Sequence, residues 1–560
     1  MSRGLGDVYK RQAIRVSGLV SGLDTDSIVQ ELVSAYSTKK EKYEKAQTKQ
    51  EWKMDAWKTM NSKIYGFYTS SLSNMRMSTA YSLKTSSVSN SNIATVKASS
   101  SAVNGTQKMK VNKLASSAYM TGGVVKLSDD KNDTGNKKVT GSTALSDMGI
   151  ETGSKIAVND TEIEITDGMT VNQLISKFKD AGINASFDET NQRFFVNAKT
   201  SGAEGEFTLM ANNEEGFDAL QKLGLFAAYT TEKDTDGKQT VETAEMTKYR
   251  KLLASGTDEQ KKLAKKIIEE VENGKVSSDA ARISGQDAEI VLNGATFTSS
   301  TGTFSINGLS ITAMQVTAAG EEVSITTSND TQGMYNKIKE FLGKYNELIK
   351  DMDTAYNAAA AKDYEPLTDD EKKDMSDNEI EKWETKIKDS LLRRDSTLGN
   401  TSSALKSLMN TSFEINGKTY SLSSFGINTA SYFSADTNEK GCLHIDGDAD
   451  DATTSGNEDK LMAAINENPE VVAEFFQKLS SSVYNDLTKR MSSSSVSSIY
   501  TIYNDKQMSS EYSDYKDKVS KWQEKLEYYE EFYYKKFSAM EKALSKLQSS
   551  TSSLSNLLGS

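Results

Sequence analysis

The strongest constraint in this chain is a seven-residue repeat near its end. Tyr512, Val519, Leu526, Tyr533, Met540, Leu547 and Leu554 fall one heptad apart, with Tyr515, Trp522, Tyr529, Ala543 and Leu557 on the companion seam. Such spacing keeps one stripe of a helix turned toward a partner. Phe532, Phe537 and Leu544 flank the stripe where a two-stranded coil usually carries charge, so the repeat predicts a helix from about Ser510 to Leu558 packed in a multi-helix bundle.

A partner for it stands at the other end. Asp24, Thr25, Asp26 and Ser27 supply a cap and dipole-complementing carboxylates ahead of Ile28, Leu32 and Tyr36. The apolar face continues through Tyr43, Ala46, Trp57, Met60, Ile64 and Phe67 to about Met77, with Gln50 and Lys53 interrupting it. A third amphipathic helix is predicted from Asp330 through Met334, Ile338, Phe341, Tyr345, Leu348 and Met352. The sequence leaves open whether the terminal helices meet within one subunit or between subunits.

Between them the period changes to two. Alternating Ser, Thr and Val from Tyr81 predict strands, with Asn104–Gly105, Asn293–Gly294, Asn307–Gly308 and Asn416–Gly417 as hairpin turns. Thr170 to Ala181 predicts a short helix, and Ala185 to Val196 a hairpin. Glu245 to Glu272 reads as one charged surface helix with little apolar face. Thr368 with Glu371 and Ser376 with Glu379 are capping boxes of two short helices, Asn468–Pro469 starts another, and Ser492 to Ser510 reads as a polar connector. The fold class expected is α+β multidomain: terminal helices in a helical bundle or coiled coil, with nested β-rich outer domains. Expected boundaries are 1–12 as artefact or disordered, 13–42 with 511–560 as a terminal helical region, 43–80 with 330–510 as a helical-bundle domain with small β-hairpins, 81–120 with 281–329 as a β-rich domain, and 121–280 as an outermost mixed α/β insert.

Composition narrows the function. A net charge of -12 over 560 residues argues against nucleic acid or an anionic membrane as partner. No run of about eighteen apolar residues predicts a membrane span, and the N-terminus lacks the pattern of a cleaved secretory signal. The single cysteine, Cys442, excludes an intrachain disulfide. Cys442 and His444 alternate on one predicted strand, but the chain holds no other Cys or His to complete a soft-metal site. Asp446, Asp448, Asp450 and Asp451 resemble the start of a calcium loop, yet Asp451 stands where glycine is required and Asn457 where glutamate is, so a solvated loop is expected. No enzyme, cofactor or metal is expected.

Several stretches resemble a known family. GLVSGLDTDSIVQEL from Gly18 to Leu32, WKMDAWKTMNSKIYGF from Trp52 to Phe67, GQDAEIVLNG from Gly285 to Gly294, and the long run from Tyr364 to Leu398 are similar to the bacterial flagellar filament cap (FliD, flagellar hook-associated protein 2) family. FGINT at Phe425 to Thr429 and YYKKFSAMEKALSKLQSS at Tyr533 to Ser550 fit the same pattern. The insert matches less, although Lys155 to Leu209 resembles a module of flagellar outer domains, and the residues before Ala13 depart from the family. The resemblance singles out Gly18, Ser21, Gly22, Leu23, Asp24, Thr25, Asp26, Leu391, Arg394 and Asp395 as family-motif residues. Helix packing or oligomerisation is expected at Trp57, Ile64, Phe67, Val519, Trp522, Leu526, Tyr533, Met540, Leu547 and Leu554. It implies a ring-like homo-oligomer at the filament tip that guides incoming flagellin, exported without a cleaved signal through the flagellar type III apparatus with a cytoplasmic chaperone. Alternatives are a tip adhesin whose insert meets a host surface ligand, or another exported axial protein such as a junction protein or flagellin.

Overall fold

The computed structural model describes residues 20–128, 137–233, 236, 238–276, 279–430 and 436–558. The expected artefact or disordered segment 1–12 lies outside them. Helix α1 (Thr25–Phe67) starts where the Asp24 carboxylate accepts the Ser27 amide, and it runs without a break across residue 42. A π turn at Tyr68–Leu72 and one turn of helix, α2 (Ser73–Met75), carry helical backbone close to Met77.

The strands follow as β1 (Lys84–Val88), β2 (Ala94–Ala98), β3 (Gly105–Lys113) and β4 (Ser117–Val124). Asn104–Gly105 is not the hairpin turn its sequence predicted. Gly105 already belongs to β3, and β2 pairs elsewhere, so the residues between them connect two different sheets. Next come β5 (Lys155–Val158), β6 (Thr161–Glu164) and α3 (Val171–Asp180), whose Thr170–Gln173 capping box sets its start and whose Val171, Leu174, Ile175 and Phe178 are buried. β7 (Ile183–Asp188) and β8 (Arg193–Ser201) form the expected hairpin, followed by β9 (Leu209–Ala211) and α4 (Glu214–Lys222).

The charged segment expected as one surface helix is two helices, α5 (Ala244–Ser255) and α6 (Asp258–Glu272), broken where Thr257 caps α6. Their faces are not bare: Met246, Tyr249, Leu263, Ala264, Ile267 and Ile268 are buried. These residues recur at helical spacing, so an apolar face was present in the segment among its many charges.

Strands β10 (Ala281–Ile283), β11 (Ala288–Leu292), β12 (Ala295–Ser299), β13 (Thr303–Ile306), β14 (Leu309–Ala313) and β15 (Val323–Asn329) return. Asn293–Gly294 and Asn307–Gly308 turn the β11–β12 and β13–β14 hairpins with positive φ at both residues. Then α7 (Thr331–Asn357), α8 (Asp369–Lys373), α9 (Asp377–Asp389) and α10 (Ser396–Met409) lead to the β16 (Phe413–Ile415) and β17 (Lys418–Tyr420) hairpin, the pair β18 (Ile427–Thr429) and β19 (Leu443–Ile445), α11 (Lys460–Glu467), α12 (Pro469–Arg490) and α13 (Asp505–Leu558).

The fold is α+β and multidomain. Contacts divide the chain into one unit made of residues up to Tyr81 and from Thr331 onward, and a second, Ser82–Asp330. The first has a single core in which Trp57, Ile64 and Phe67 meet Phe341 and Tyr345 of α7, Leu405 of α10, and Phe475, Phe476 and Leu479 of α12. The stretch read as a polar connector contributes to it: Ile502 is buried and Tyr503 stacks on Trp57 at 5.2 Å. The second unit has two cores. One lies within the antiparallel sheets β1-β15-β3-β11-β12 and β13-β14-β2; the other lies under β10-β4-β8-β7 and β6-β5-β9 with α3 to α6.

Candidate functional site

The terminal helices answer the question the sequence left open, because α1 and α13 pack against each other within this one chain, antiparallel. The pairing can be followed rung by rung. Asp26 accepts the Tyr534 hydroxyl at 2.9 Å, Tyr36 stacks on Tyr529 at 4.4 Å, and Lys39 sits over the Trp522 ring at 4.8 Å. Further along, Gln47 donates to the Tyr512 hydroxyl at 3.4 Å, and Gln50 donates to the Met508 carbonyl and the Glu511 carboxylate. The polar Gln50 that interrupts the apolar stripe is therefore hydrogen-bonded across the pair rather than buried unpaired.

Burial grades along this pair. Trp57, Ile64 and Phe67 lie inside the unit's core. Val519, Trp522, Leu526, Tyr533 and Met540 are only half-buried, since a two-helix coil covers one side of a stripe built wide enough for more. Leu547 and Leu554 are 63% and 58% exposed, so these two seam positions are not packing sites within the described subunit. They lie past Glu541, the last α13 residue with a described partner ahead of α1. Tyr528, Phe532 and Leu544 are exposed on the same helix.

The family-motif residues divide into two joints. Gly18 lies outside the described residues. Ser21 donates its hydroxyl to Glu541, whose carboxylate also accepts the Val20 amide at 3.0 Å. The Ser21 hydroxyl bond, helped by these amides, holds the Glu541 carboxyl below its ordinary range. Glu541 is buried, and heptad reasoning passed over it because it is charged. Gly22 takes φ 68, Leu23 is exposed, Asp24 caps α1 and Thr25 is buried under it. At the second joint, Leu391 is half-buried, and Arg394 adopts φ 54 with its guanidinium 5.0 Å from the Tyr356 ring and its amide donating to the Tyr356 carbonyl. Asp395 caps α10 through the Thr397 and Leu398 amides and lies 3.6 Å from Lys53 of α1. These contacts tie the α9–α10 turn to α7 and α1.

The residues weighed for chemistry do not converge. Cys442 is buried, its Sγ directed at the Asn346 carbonyl at 3.9 Å, and burial pushes its thiol up. His444 instead pairs its Nδ1 with Asp451 at 2.5 Å. In the acidic loop, Lys339 places its ammonium 2.6 Å from both Asp448 and Asp450. The sequence contained no signal for this lysine, which comes from α7. Among the described residues no group of three or more His, Cys, Asp or Glu side chains is arranged to hold a metal, and no helix is long and apolar enough to cross a membrane.

Comparison with known proteins bears on the same regions. A family model described as the flagellar hook-associated protein 2 N-terminus matches residues 21–118, and one described as its C-terminus matches residues 285–549. Flagellar hook-associated protein 2 of Halalkalibacterium halodurans is 22% identical over 479 residues, covering 82% of this chain and 78% of its own. The Thermotoga maritima protein of the same name is 23% identical over 409 residues, 72% of this chain and 54% of its own. Of solved structures, the D1-D2-D3 domains of the flagellar cap protein FliD from Escherichia coli cover 78% of this chain and 96% of their own at 17% identity and a TM-score of 0.45. The matched segments take in both α1 and most of α13, leaving the region between residues 118 and 285 outside either model. With both terminal regions matched over more than half its length, the chain belongs to the flagellar hook-associated protein 2 (FliD) family.

Proposed function

We propose that this chain is a structural subunit of the cap at the distal end of the bacterial flagellar filament. There it promotes flagellin polymerisation, prevents flagellin loss, and is required for filament assembly and motility. One observation carries this reading: the α1–α13 pair leaves Tyr528, Phe532, Leu544, Leu547 and Leu554 uncovered on one helix. Apolar side chains repeated along a helix mark a contact surface. Covering them contributes roughly 25 cal/mol per Å² of apolar area, less the cost of ordering the partners.

In this reading the terminal segments are the assembly region, making a ring-like homo-oligomer and meeting flagellin, while residues 121–280 form an insert domain. The subunit works outside the cell, delivered through the flagellar type III export apparatus with a cytoplasmic chaperone. Its action is mechanical.

Deleting the gene is expected to give cells that shed unpolymerised flagellin, with filaments restored by the supplied protein; normal filaments in the deletion strain refute the proposal. Leu526→Asp with Met540→Asp places charge on the half-buried seam and is expected to weaken assembly. Unchanged particle mass, helicity and capping in that variant count against the seam's role.

A further inference from the structure

Among the described residues of Ser82–Asp330 the chain passes between two cores along two stretches, outward at Leu114–Ser116 and back at Ile283–Asp287. Ser116 and Gln286 exchange both backbone hydrogen bonds, at 2.8 and 3.0 Å. Two paired strands on their own make a natural hinge, bending about their ladder. Here a third segment is wedged against them.

That segment runs from Ser201, the last residue of β8, to Phe207. The Ser201 hydroxyl donates to the Ser300 carbonyl at 2.6 Å, and the Ala203 amide donates to Asp287 at 2.8 Å, two bonds that reach the all-β core. Gly202 donates its amide to Ser116 at 3.1 Å. The contacts are too close for side chains: a Cβ on Gly202, at φ 91, would run into Ser300, and one on Gly285 into the Gly202 carbonyl.

A buried charge anchors the wedge. The Glu206 carboxylate grips Arg282 with one oxygen and accepts the Gly285 amide with the other at 2.8 Å. Arg282 is 1% exposed; it donates to the Phe207 and Ile283 carbonyls and lies 4.0 Å from the Phe207 ring. Glu245 of α5 approaches it at 3.7 Å from the far side and accepts the Leu209 amide. Glu206 and Arg282 both belong to the lobe bearing α3 to α6, so Arg282 anchors the carboxylate whose other oxygen holds the Gly285 amide of the returning strand; bending the junction pulls that amide off a fixed charged acceptor.

We infer that this junction is a rigid coupler, held by the Ser201–Phe207 wedge and by the Glu206 carboxylate anchored on Arg282, through which the lobe bearing α3 to α6 and the all-β lobe move as one body. A load applied to the first is therefore transmitted to the second instead of being absorbed by a hinge.

The test uses the full chain with Cys442→Ser and nitroxides at two introduced cysteines, Lys177→Cys on α3 and Ser305→Cys on β13, both exposed positions. A control pair, Lys177→Cys with Lys265→Cys, stays within one lobe. Electron spin distance measurement is expected to give an interlobe distribution as narrow as the control. Glu206→Ala is expected to broaden it at least about twofold while the control is unchanged. An interlobe distribution already much broader than the control in the parent, or one unmoved by Glu206→Ala, overturns the inference. If Glu206→Ala also broadens the control, Gly202→Val, which forces the wedge apart without touching the charges, decides between the same two outcomes.

Discussion

Ile64 and Leu526 are both apolar positions on the terminal helices, yet the structure assigns them different loads. Ile64 is fully buried and shares its core with α7 and α12, whereas Leu526 is half-covered by α1. Truncating a buried isoleucine to alanine costs about 2–5 kcal/mol. A central value of about 3 kcal/mol corresponds to about a 150-fold rise in the opening equilibrium of the core. Full burial of leucine is worth about 1.5–3 kcal/mol, so Leu526→Ala at half burial is expected to cost about 1 kcal/mol, or about fivefold. Amide hydrogen exchange, followed by mass spectrometry where exchange reports the opening equilibrium, separates them by place as well as size. Ile64→Ala should accelerate exchange in peptides spanning 341–349 and 475–487, while Leu526→Ala should act only in the helix pair around 519–533. Equal acceleration of the 341–349 peptide by both variants, or none by Ile64→Ala, refutes the graded packing of α1.

Three further outcomes are expected. Lys339 holds the Asp450 carboxyl below its ordinary range, and its bonds to Asp448 and Asp450 raise its own ammonium; the carboxylate's contribution is present above its unfolded pKa of about 4 and is lost as pH falls through the lower folded value. The melting-temperature deficit of Lys339→Met should therefore be steady near neutral pH and shrink below about pH 4, and a deficit that grows with acid contradicts the pairing. Gly308→Ala and Gly294→Ala each impose a left-handed conformation at roughly 1–2 kcal/mol, but a Cβ at Gly308 also meets the Ala102 amide nitrogen at 2.7 Å while Gly294 faces open space, so urea unfolding should show Gly308→Ala as the costlier, and equal midpoints refute this. Cys442 should resist alkylation near neutral pH in the folded chain and react rapidly in urea, and Cys442→Ala with His444→Ala should leave assembly intact; rapid native labelling contradicts its burial.

The sequence was most informative where structure is decided within four residues. Capping boxes at Thr368 and Ser376 start helices as read, and three of four Asn–Gly pairs turn hairpins, because side-chain-to-backbone bonds and left-handed φ need no distant partner. The same reasoning failed at Asn104–Gly105, where the flanking strands had already been claimed by β14, β15 and β11. It also missed the Thr257 break, where a capping box starts a second helix.

What the sequence by itself determined is that both ends of the chain are helices carrying apolar stripes in heptad spacing, since that periodicity is a property of 3.6 residues per turn and nothing else. Only the tertiary structure decided how much of each stripe is covered. It buried Ile64, half-covered Leu526 and left Leu547 exposed, although all three obey the same pattern. It also placed Ser21 on Glu541 across 520 residues and Glu206 on Arg282 in the second unit. Burial depends on how many elements gather around a residue, and a charge's partner on which distant strand arrives beside it; neither quantity is encoded in local spacing.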